Sequence, residues 1–207
     1  MDFTSARINM VESQVRTNDV TDVTIQEAMR AIHRERFVLP ARQALAYADR
    51  FVEYAPGRWI MPPRDVAKLL QAVRPYAGER ALAIAAPYAA AIMARMGVAV
   101  TALEDADADA HARMALEGEG ASVIAGDLFA PTGTWDVMVT EGAVSAIPDA
   151  WLQALAPGGR LGAVIRRGSV GKAAIYTRAG EAMSAREVFD SLPPWLPGFE
   201  PRPAFTF

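Results

Sequence analysis

The chain has 207 residues, of which 52% are hydrophobic, and it carries a formal net charge of −3. Its length allows one domain with a substantial core, and the mild negative charge gives no general attraction to nucleic acid or to anionic lipid. The absence of cysteine excludes disulfides, thiolate metal sites and a cysteine nucleophile. The amino terminus lacks the apolar segment of a signal peptide, and the longest weakly polar run, residues 81–94, is too short to span a bilayer. We therefore expect a soluble, cytoplasmic protein with neither nucleic acid nor a membrane as its partner.

The first 75 residues predict a helical extension that precedes the main fold. Apolar residues at helical spacing and capping residues at helix starts favour three helices, over residues 6–16, about 22–33 and 66–73. Between the second and third helices lies Pro56–Pro63, which reads PGRWIMPP. Because proline fixes φ, this stretch is predicted to be a rigid connector.

From residue 76 onward, short apolar runs alternate with helical segments, which is typical of a parallel, doubly wound sheet. Strands are predicted over residues 81–85, 98–103, 123–124, 135–140 and 160–165, and helices over residues 88–96, 106–116 and 149–155. Three further strands without intervening helices, over residues 173–178, 185–189 and 204–207, predict an antiparallel hairpin that finishes the sheet. The fold class is therefore α/β, in one domain over residues 1–207 that divides into an extension (1–75) and a core (76–207).

The predicted sheet places two acidic residues where ligands bind, outside the carboxyl ends of its strands. Glu104 ends the second strand of the sheet and could bond ribose hydroxyls, and Asp127 follows the third strand and could contact an adenine edge. Glu104 and its neighbour Asp105 could instead only cap the next helix, which is worth about 0.3–1 kcal/mol, and Asp127 could only organise a turn. His33 and His111 stand alone without ligand partners at metal spacing, so no metal site is predicted.

Several blocks of the sequence follow one another as in a known family of enzymes. Over residues 9–165 the chain resembles the protein-L-isoaspartate O-methyltransferases, in the blocks NMVESQVR, EAMRAIHRERFVLP, AYADR, GDLFAP, WDVMVTEGAVSAIP and LQALAPGGRL. The resemblance implies a Rossmann-like methyltransferase core with an amino-terminal helical extension, S-adenosylmethionine as cofactor, and a monomer. It also implies the reaction, which is methyl transfer to the carboxylate of isoaspartyl residues in damaged proteins.

The chain departs from the family in the loop that would hold the cofactor. In the family, the corresponding motif is similar to a strand that ends in a glutamate and an aliphatic residue and is followed by a loop with three glycines. Here Ala83 takes the acid position, and Ala85, Ala86 and Pro87 replace the glycines ahead of Tyr88. A left-handed alanine costs about 1–2 kcal/mol, and proline has no N–H to offer a ligand. We expect the candidate cofactor contacts Ala85, Ala86 and Tyr88 to form a closed corner.

A second departure lies in the block that would hold the methyl acceptor. The family block resembles Gly-Gln-Thr-Ile-Ser, and Gly57 and Ile60 match it, whereas Arg58, Trp59 and Met61 occupy the Gln, Thr and Ser positions. In an altered pocket, Arg58 could pair with a carboxylate. Alternatively, Trp59 and Met61 fill a vacated cavity as part of the core.

Two hypotheses about function follow from these two departures. The first is a divergent isoaspartyl carboxyl methyltransferase of weak or lost activity, which uses Glu104, Asp127 and the corner at residues 85–88. The second is a non-catalytic pseudo-methyltransferase that serves as a binding or scaffold module.

Overall fold

The structure is a computed structural model that describes residues 2–201, and it is built around one large sheet. The strands in this part of the chain are β1 (Val52–Ala55), β2 (Arg58–Ile60), β3 (Arg80–Ile84), β4 (Ala99–Glu104), β5 (Ser122–Ala125), β6 (Trp135–Val144), β7 (Leu155–Arg167), β8 (Val170–Ala179) and β9 (Ala182–Asp190). The α-helices are α1 (Phe3–Met10), α2 (Val23–Ala31), α3 (Pro63–Val73), α4 (Pro87–Arg95), α5 (Asp109–Leu116) and α6 (Asp149–Gln153).

The large sheet has seven strands in the order β5-β4-β3-β6-β7-β8-β9. Strands β5, β4, β3, β6 and β7 are parallel, whereas β8 runs antiparallel to both of its neighbours. The strand order reverses at β3, so the ligand crevice of this fold lies outside the carboxyl ends of β3, β4 and β6. This arrangement confirms the predicted α/β class, a mostly parallel sheet completed by antiparallel strands at its carboxyl-terminal end.

The amino-terminal helices begin at capping aspartates. Asp2 accepts N–H bonds from the first turn of α1, and Asp22 does the same for α2, as its sequence position predicted. The predicted single helix over residues 6–16 is instead three pieces, since α1 continues into a π-helical turn at Val11–Val15 and a 3₁₀ turn at Arg16–Asn18. The apolar face of this extension packs against α3 and α4 in one continuous core.

The prediction of a rigid connector at Pro56–Pro63 was wrong. Residues 52–60 form a β-hairpin instead, in which β1 and β2 pair with Val52 opposite Ile60 and Glu53 opposite Trp59. Gly57 supplies the turn with a φ of +68°. A three-residue strand between prolines carries no alternation pattern long enough to detect, so the hairpin was missed.

The antiparallel strands at the end of the sheet were predicted correctly but too short. β8 and β9 each extend beyond the predicted ranges because a two-residue turn at Gly180 and Glu181 joins them directly. The strand predicted at residues 204–207 lies outside the described residues. None of the helices in residues 2–201 is long and apolar enough to cross a membrane.

Apolar side chains cover both faces of the sheet. On one face, α3, α4 and the amino-terminal extension form the larger core. On the other face, Trp151 of α6 packs with Leu196 and Phe199, and its Nε1 donates to the carbonyl of Leu128 at 2.7 Å. The segment after β9 therefore crosses back to cover the second face of the sheet.

Replacing Gly171 by alanine is expected to destabilise the protein. An added Cβ would lie 2.0 Å from the carbonyl oxygen of Ser191, whose own N–H donates to the Gly171 carbonyl at 3.1 Å. Overpacking of this kind costs about 1–3 kcal/mol. Gly126→Ala is the matched control, because its Cβ would meet only the flexible Cδ1 of Leu103 at 3.1 Å. Urea unfolding measures both variants, and equal midpoints would contradict the prediction.

Candidate functional site

The carboxyl ends of β3 and β4 bring most of the candidate cofactor residues together. Ala85 follows β3 and donates its N–H to the carbonyl of Leu103 at 3.0 Å, one residue before Glu104. The side chains of Ala85, Ala86, Tyr88 and Glu104 are all at most 2% exposed. These four predicted residues therefore lie close to the ends of β3 and β4, and protein atoms surround their side chains.

Asp127 stands apart from that buried group. It is exposed in the loop after β5, and its Oδ1 accepts the N–H of Phe129 at 2.8 Å. A carboxylate that bonds the N–H two residues later organises a turn. Asp127 therefore organises the turn after β5, and its contact with an adenine edge stays a prediction.

The corner between β3 and α4 keeps the backbone shape of a glycine loop. Ala85 has a φ of +48°, in the left-handed region that alanine rarely adopts. Pro87 is the first residue of α4, a position where the missing N–H breaks no intrahelical hydrogen bond. The strain predicted for an alanine here is present, and the hydrogen bond from Ala85 to β4 helps to hold it.

The amino terminus of α4 is occupied by a carboxylate from the protein itself. Glu141, at the end of β6, accepts the N–H of Ala89 at 2.9 Å with Oε1 and the N–H of Met61 at 2.8 Å with Oε2. Its side chain is completely buried, and that burial raises the pKa of Glu141, against the opposing effect of Arg34. Helix N-termini favour negative groups, and at the start of α4 the carboxyl group of Glu141 accepts one of the available N–H groups.

Sequence analysis missed Glu141 altogether. The available signal was an acidic residue in the second half of WDVMVTEGAV, a mainly apolar run that forms a buried strand. Acidic residues are almost never fully buried unless they are paired, so this position deserved notice.

Tyr88 points into the core beneath the amino-terminal extension. Its ring lies 4.3 Å from the guanidinium of Arg34 and 5.4 Å, edge to face, from Phe37. Arg34 in turn donates to the carbonyls of Ala46 and Met61, at 2.7 and 2.5 Å. Burial raises the pKa of Tyr88 to about 12. Tyr88 therefore joins α4 to the extension.

Glu104, the residue predicted to bond a ribose, accepts a hydrogen bond from a tyrosine. The hydroxyl of Tyr54, in β1, donates to Glu104 Oε1 at 2.8 Å, and both residues are at most 3% exposed. Burial raises the pKa of Glu104 to about 8, against the opposing effects of the Tyr54 hydrogen bond and of Arg58. Its Oε2 has no hydrogen-bond partner in the described part of the chain.

The acceptor block contributes an arginine to the carboxyl end of β4. Arg58, in β2, is 4% exposed and forms an ion pair with Asp105, directly after β4. Asp105 also accepts the N–H of Ala108 at 3.3 Å, in keeping with the capping role considered for it. Trp59 is half-buried on the hairpin, and Met61 is fully buried in the core. The one charged side chain of the block is thus already paired within the protein.

Glu104→Gln is expected to stabilise the protein increasingly as the pH rises from 5 to 8. The carboxyl has a pKa near 4.5 when unfolded and about 8 when folded, so between these values the folded protein binds the extra proton. The unfolding free energy of the wild type therefore falls as the pH rises, by up to about 1.4 kcal/mol per pH unit. Glutamine cannot ionise and escapes this loss.

Urea unfolding of wild type and Glu104→Gln at pH 5, 6, 7 and 8 measures the difference. Substituting the exposed Glu181 by glutamine is the control, and its difference from wild type is expected to stay small throughout. If the difference for Glu104→Gln did not change with pH, the raised pKa would be wrong.

Glu141→Ala is expected to lower the unfolding free energy by about 2–4 kcal/mol, because it leaves the buried N–H groups of Met61 and Ala89 without an acceptor. The adjacent Thr140→Val is the control. The buried Oγ1 of Thr140 has no hydrogen-bond partner among residues 2–201, so an apolar isostere is expected to be neutral or mildly stabilising. Chemical denaturation compares the two, and similar effects of both would refute a special role for Glu141.

Comparison with known proteins agrees with this architecture. A family model described as Protein-L-isoaspartate(D-aspartate) O-methyltransferase (PCMT) matches residues 6–188. A protein-L-isoaspartate O-methyltransferase of Methylorubrum extorquens (strain PA1) is 38% identical over 168 residues, which cover 77% of this chain and 74% of the relative. A protein of the same name from Bradyrhizobium sp. (strain ORS 278) is 30% identical over 200 residues, covering 91% of this chain and 93% of the relative.

Solved structures are similar in fold. A candidate protein-L-isoaspartate O-methyltransferase of Plasmodium falciparum, in complex with S-adenosyl-L-homocysteine, superposes with a TM-score of 0.78 at 17% identity, covering 92% of this chain and 97% of that one. Another protein-L-isoaspartate O-methyltransferase gives a TM-score of 0.77 at 20% identity, covering 93% of this chain and 66% of that chain. By its sequence and its fold, this chain belongs to the protein-L-isoaspartate O-methyltransferase family.

Proposed function

We propose that this chain is a protein-L-isoaspartate O-methyltransferase homologue in which methyl transfer is weak or lost, because its own side chains occupy the crevice of the methyl donor. The observation that carries this proposal is the buried hydrogen bond from Tyr54 to Glu104. Glu104 is the residue at the end of β4 best placed to bond ribose hydroxyls, and a phenol from the β1–β2 hairpin already bonds it.

A second observation supports the proposal from the other side of the crevice. S-adenosylmethionine carries a carboxylate at its amino-acid end, and free backbone N–H groups at the corner between β3 and α4 are the donors that a negative group would use there. The N–H of Ala89 is already donated to Glu141, and the N–H of Ala85 is donated to Leu103. Pro87 has none to give. In this arrangement the residues do not fit S-adenosylmethionine.

An active enzyme is the second candidate function, and one observation favours it. Ala85 has a φ of +48°, the left-handed conformation that a glycine of such a loop would readily adopt. An active protein would transfer a methyl group from S-adenosylmethionine to isoaspartyl carboxylates of damaged proteins, as a cytoplasmic monomer. It would first have to move Tyr54 away from Glu104.

Without methyl transfer, the fold would serve as a non-catalytic binding or scaffold module. The intact sheet and cores of the molecule agree with this hypothesis. The loop and the acceptor block are changed together, whereas the sheet and its two packed faces are intact.

Calorimetric titration with S-adenosyl-L-homocysteine tests the proposal. We expect no measurable heat at millimolar ligand, and no methylation of an isoaspartyl peptide by S-adenosylmethionine above the rate without protein. The Methylorubrum extorquens relative, studied in the same buffer, controls for the quality of the ligand and the peptide. Micromolar affinity of this chain would refute the proposal and favour the active enzyme.

A further inference from the structure

The β1–β2 hairpin is the element that covers the end of β4. Its strands have only four and three residues, and they pair with each other rather than with the large sheet. An isolated two-stranded hairpin is marginally stable in water at best. Its position therefore depends on contacts with the rest of the protein, which include the N–H of Leu39 donated to the carbonyl of Glu53 at 3.1 Å and contacts made by its side chains.

Two of those contacts are made to consecutive residues at the end of β4. Tyr54 bonds Glu104, and Arg58 pairs with Asp105. Tyr54 and Arg58 come from opposite strands of the hairpin and are both nearly fully buried. Together they bind the hairpin to the residues that a ribose would contact.

This closed contact leaves polar atoms unsatisfied. Within the described residues, Glu104 Oε2 and Arg58 Nε are both buried and have no hydrogen-bond partner. A buried polar group without a partner destabilises the arrangement that contains it. The hairpin therefore holds β4 through an incomplete set of hydrogen bonds, and a ligand with hydroxyl donors could complete the set at Glu104.

We propose that the β1–β2 hairpin is an autoinhibitory strap in which Tyr54 and Arg58, rather than the corner at residues 85–88, exclude the ribose of the methyl donor from Glu104. This inference rests on the proposed function, since it names the residues that keep the crevice closed. The Tyr54 hydroxyl makes one of the hydrogen bonds that a ribose diol would make to a carboxylate. The preserved backbone of Ala85 is consistent with a corner that is not itself the main obstacle.

Space for a ligand lies directly beside the strap. Tyr54 lines a cavity of about 280 Å³, whose walls include Phe37, Val38 and Met114. Removing the Tyr54 ring would join this space to the Glu104 carboxyl group. A side chain that separates an apolar space from a carboxyl group in this way is well placed to determine whether a nucleoside can bind.

The test is a titration of S-adenosyl-L-homocysteine into the double variant Tyr54→Ala/Arg58→Ala. We expect its Kd to lie at least tenfold below the millimolar concentration at which the wild type gives no heat, and expect this binding to disappear when Glu104→Ala is added. The control is Glu53→Gln on the same hairpin, where the carboxylate accepts only the N–H of Gly57 at 3.3 Å. We expect the control to bind as the wild type does.

The outcomes separate this inference from the proposed function. If wild type binds weakly and the double variant gains nothing, the strap is wrong while the proposed function stands. Micromolar binding by the wild type itself would refute both. Should circular dichroism indicate that the double variant is unfolded, the single variant Tyr54→Ala replaces it, since it removes the ring beside Glu104 and keeps the ion pair of Arg58 with Asp105. Measurable heat with that variant at millimolar ligand supports the strap, and the absence of heat, as in the wild type, overturns it.

Discussion

The buried carboxylate of Glu141 is the constraint on which the rest of this structure depends. Its two oxygens accept N–H groups from Met61 and Ala89, so one side chain ties the end of β6 to the acceptor block and to α4. Arg34 lies close enough to oppose the cost of burying that charge, and it bonds the carbonyl of Met61 itself. Removing a carboxylate from water is costly, and here backbone donors and a buried cation offset the cost.

The hydrogen bond from Ala89 to Glu141 leaves fewer free donors at the edge of the crevice. In a doubly wound sheet the helix N-terminus and the acidic strand end are free to meet a ligand. In this chain the N–H of Ala89 is donated to Glu141 and the Tyr54 hydroxyl is donated to Oε1 of Glu104, so the start of α4 and one oxygen of Glu104 are bonded within the protein. An intramolecular group loses no translational freedom when it binds, so a free ligand competes with it at a disadvantage. The family's fold is thus retained, and the proposal of weak or lost methyl transfer rests on these internal bonds.

Much of the fold could be predicted because its signals are local. Apolar runs alternating with helical segments indicated the parallel sheet, and the run of strands without helices indicated its antiparallel end. At the site, the absence of glycine before Tyr88 predicted a strained, closed corner, and Ala85 does adopt a positive φ. The β1–β2 hairpin was not predictable, because a three-residue strand between prolines has too few positions to reveal its period. Tyr54 was missed with it.

The sequence by itself determined the class of the fold, the order of its elements and the residues that replace a glycine loop. These follow from periodicity, capping and φ preferences, which act over a few neighbouring residues. Only the tertiary structure decided that Glu104 faces Tyr54, that Arg58 faces Asp105 and that Glu141 covers the start of α4. Those pairs join residues 47 to 52 positions apart, and their burial and charge state exist only once the chain has brought distant segments together.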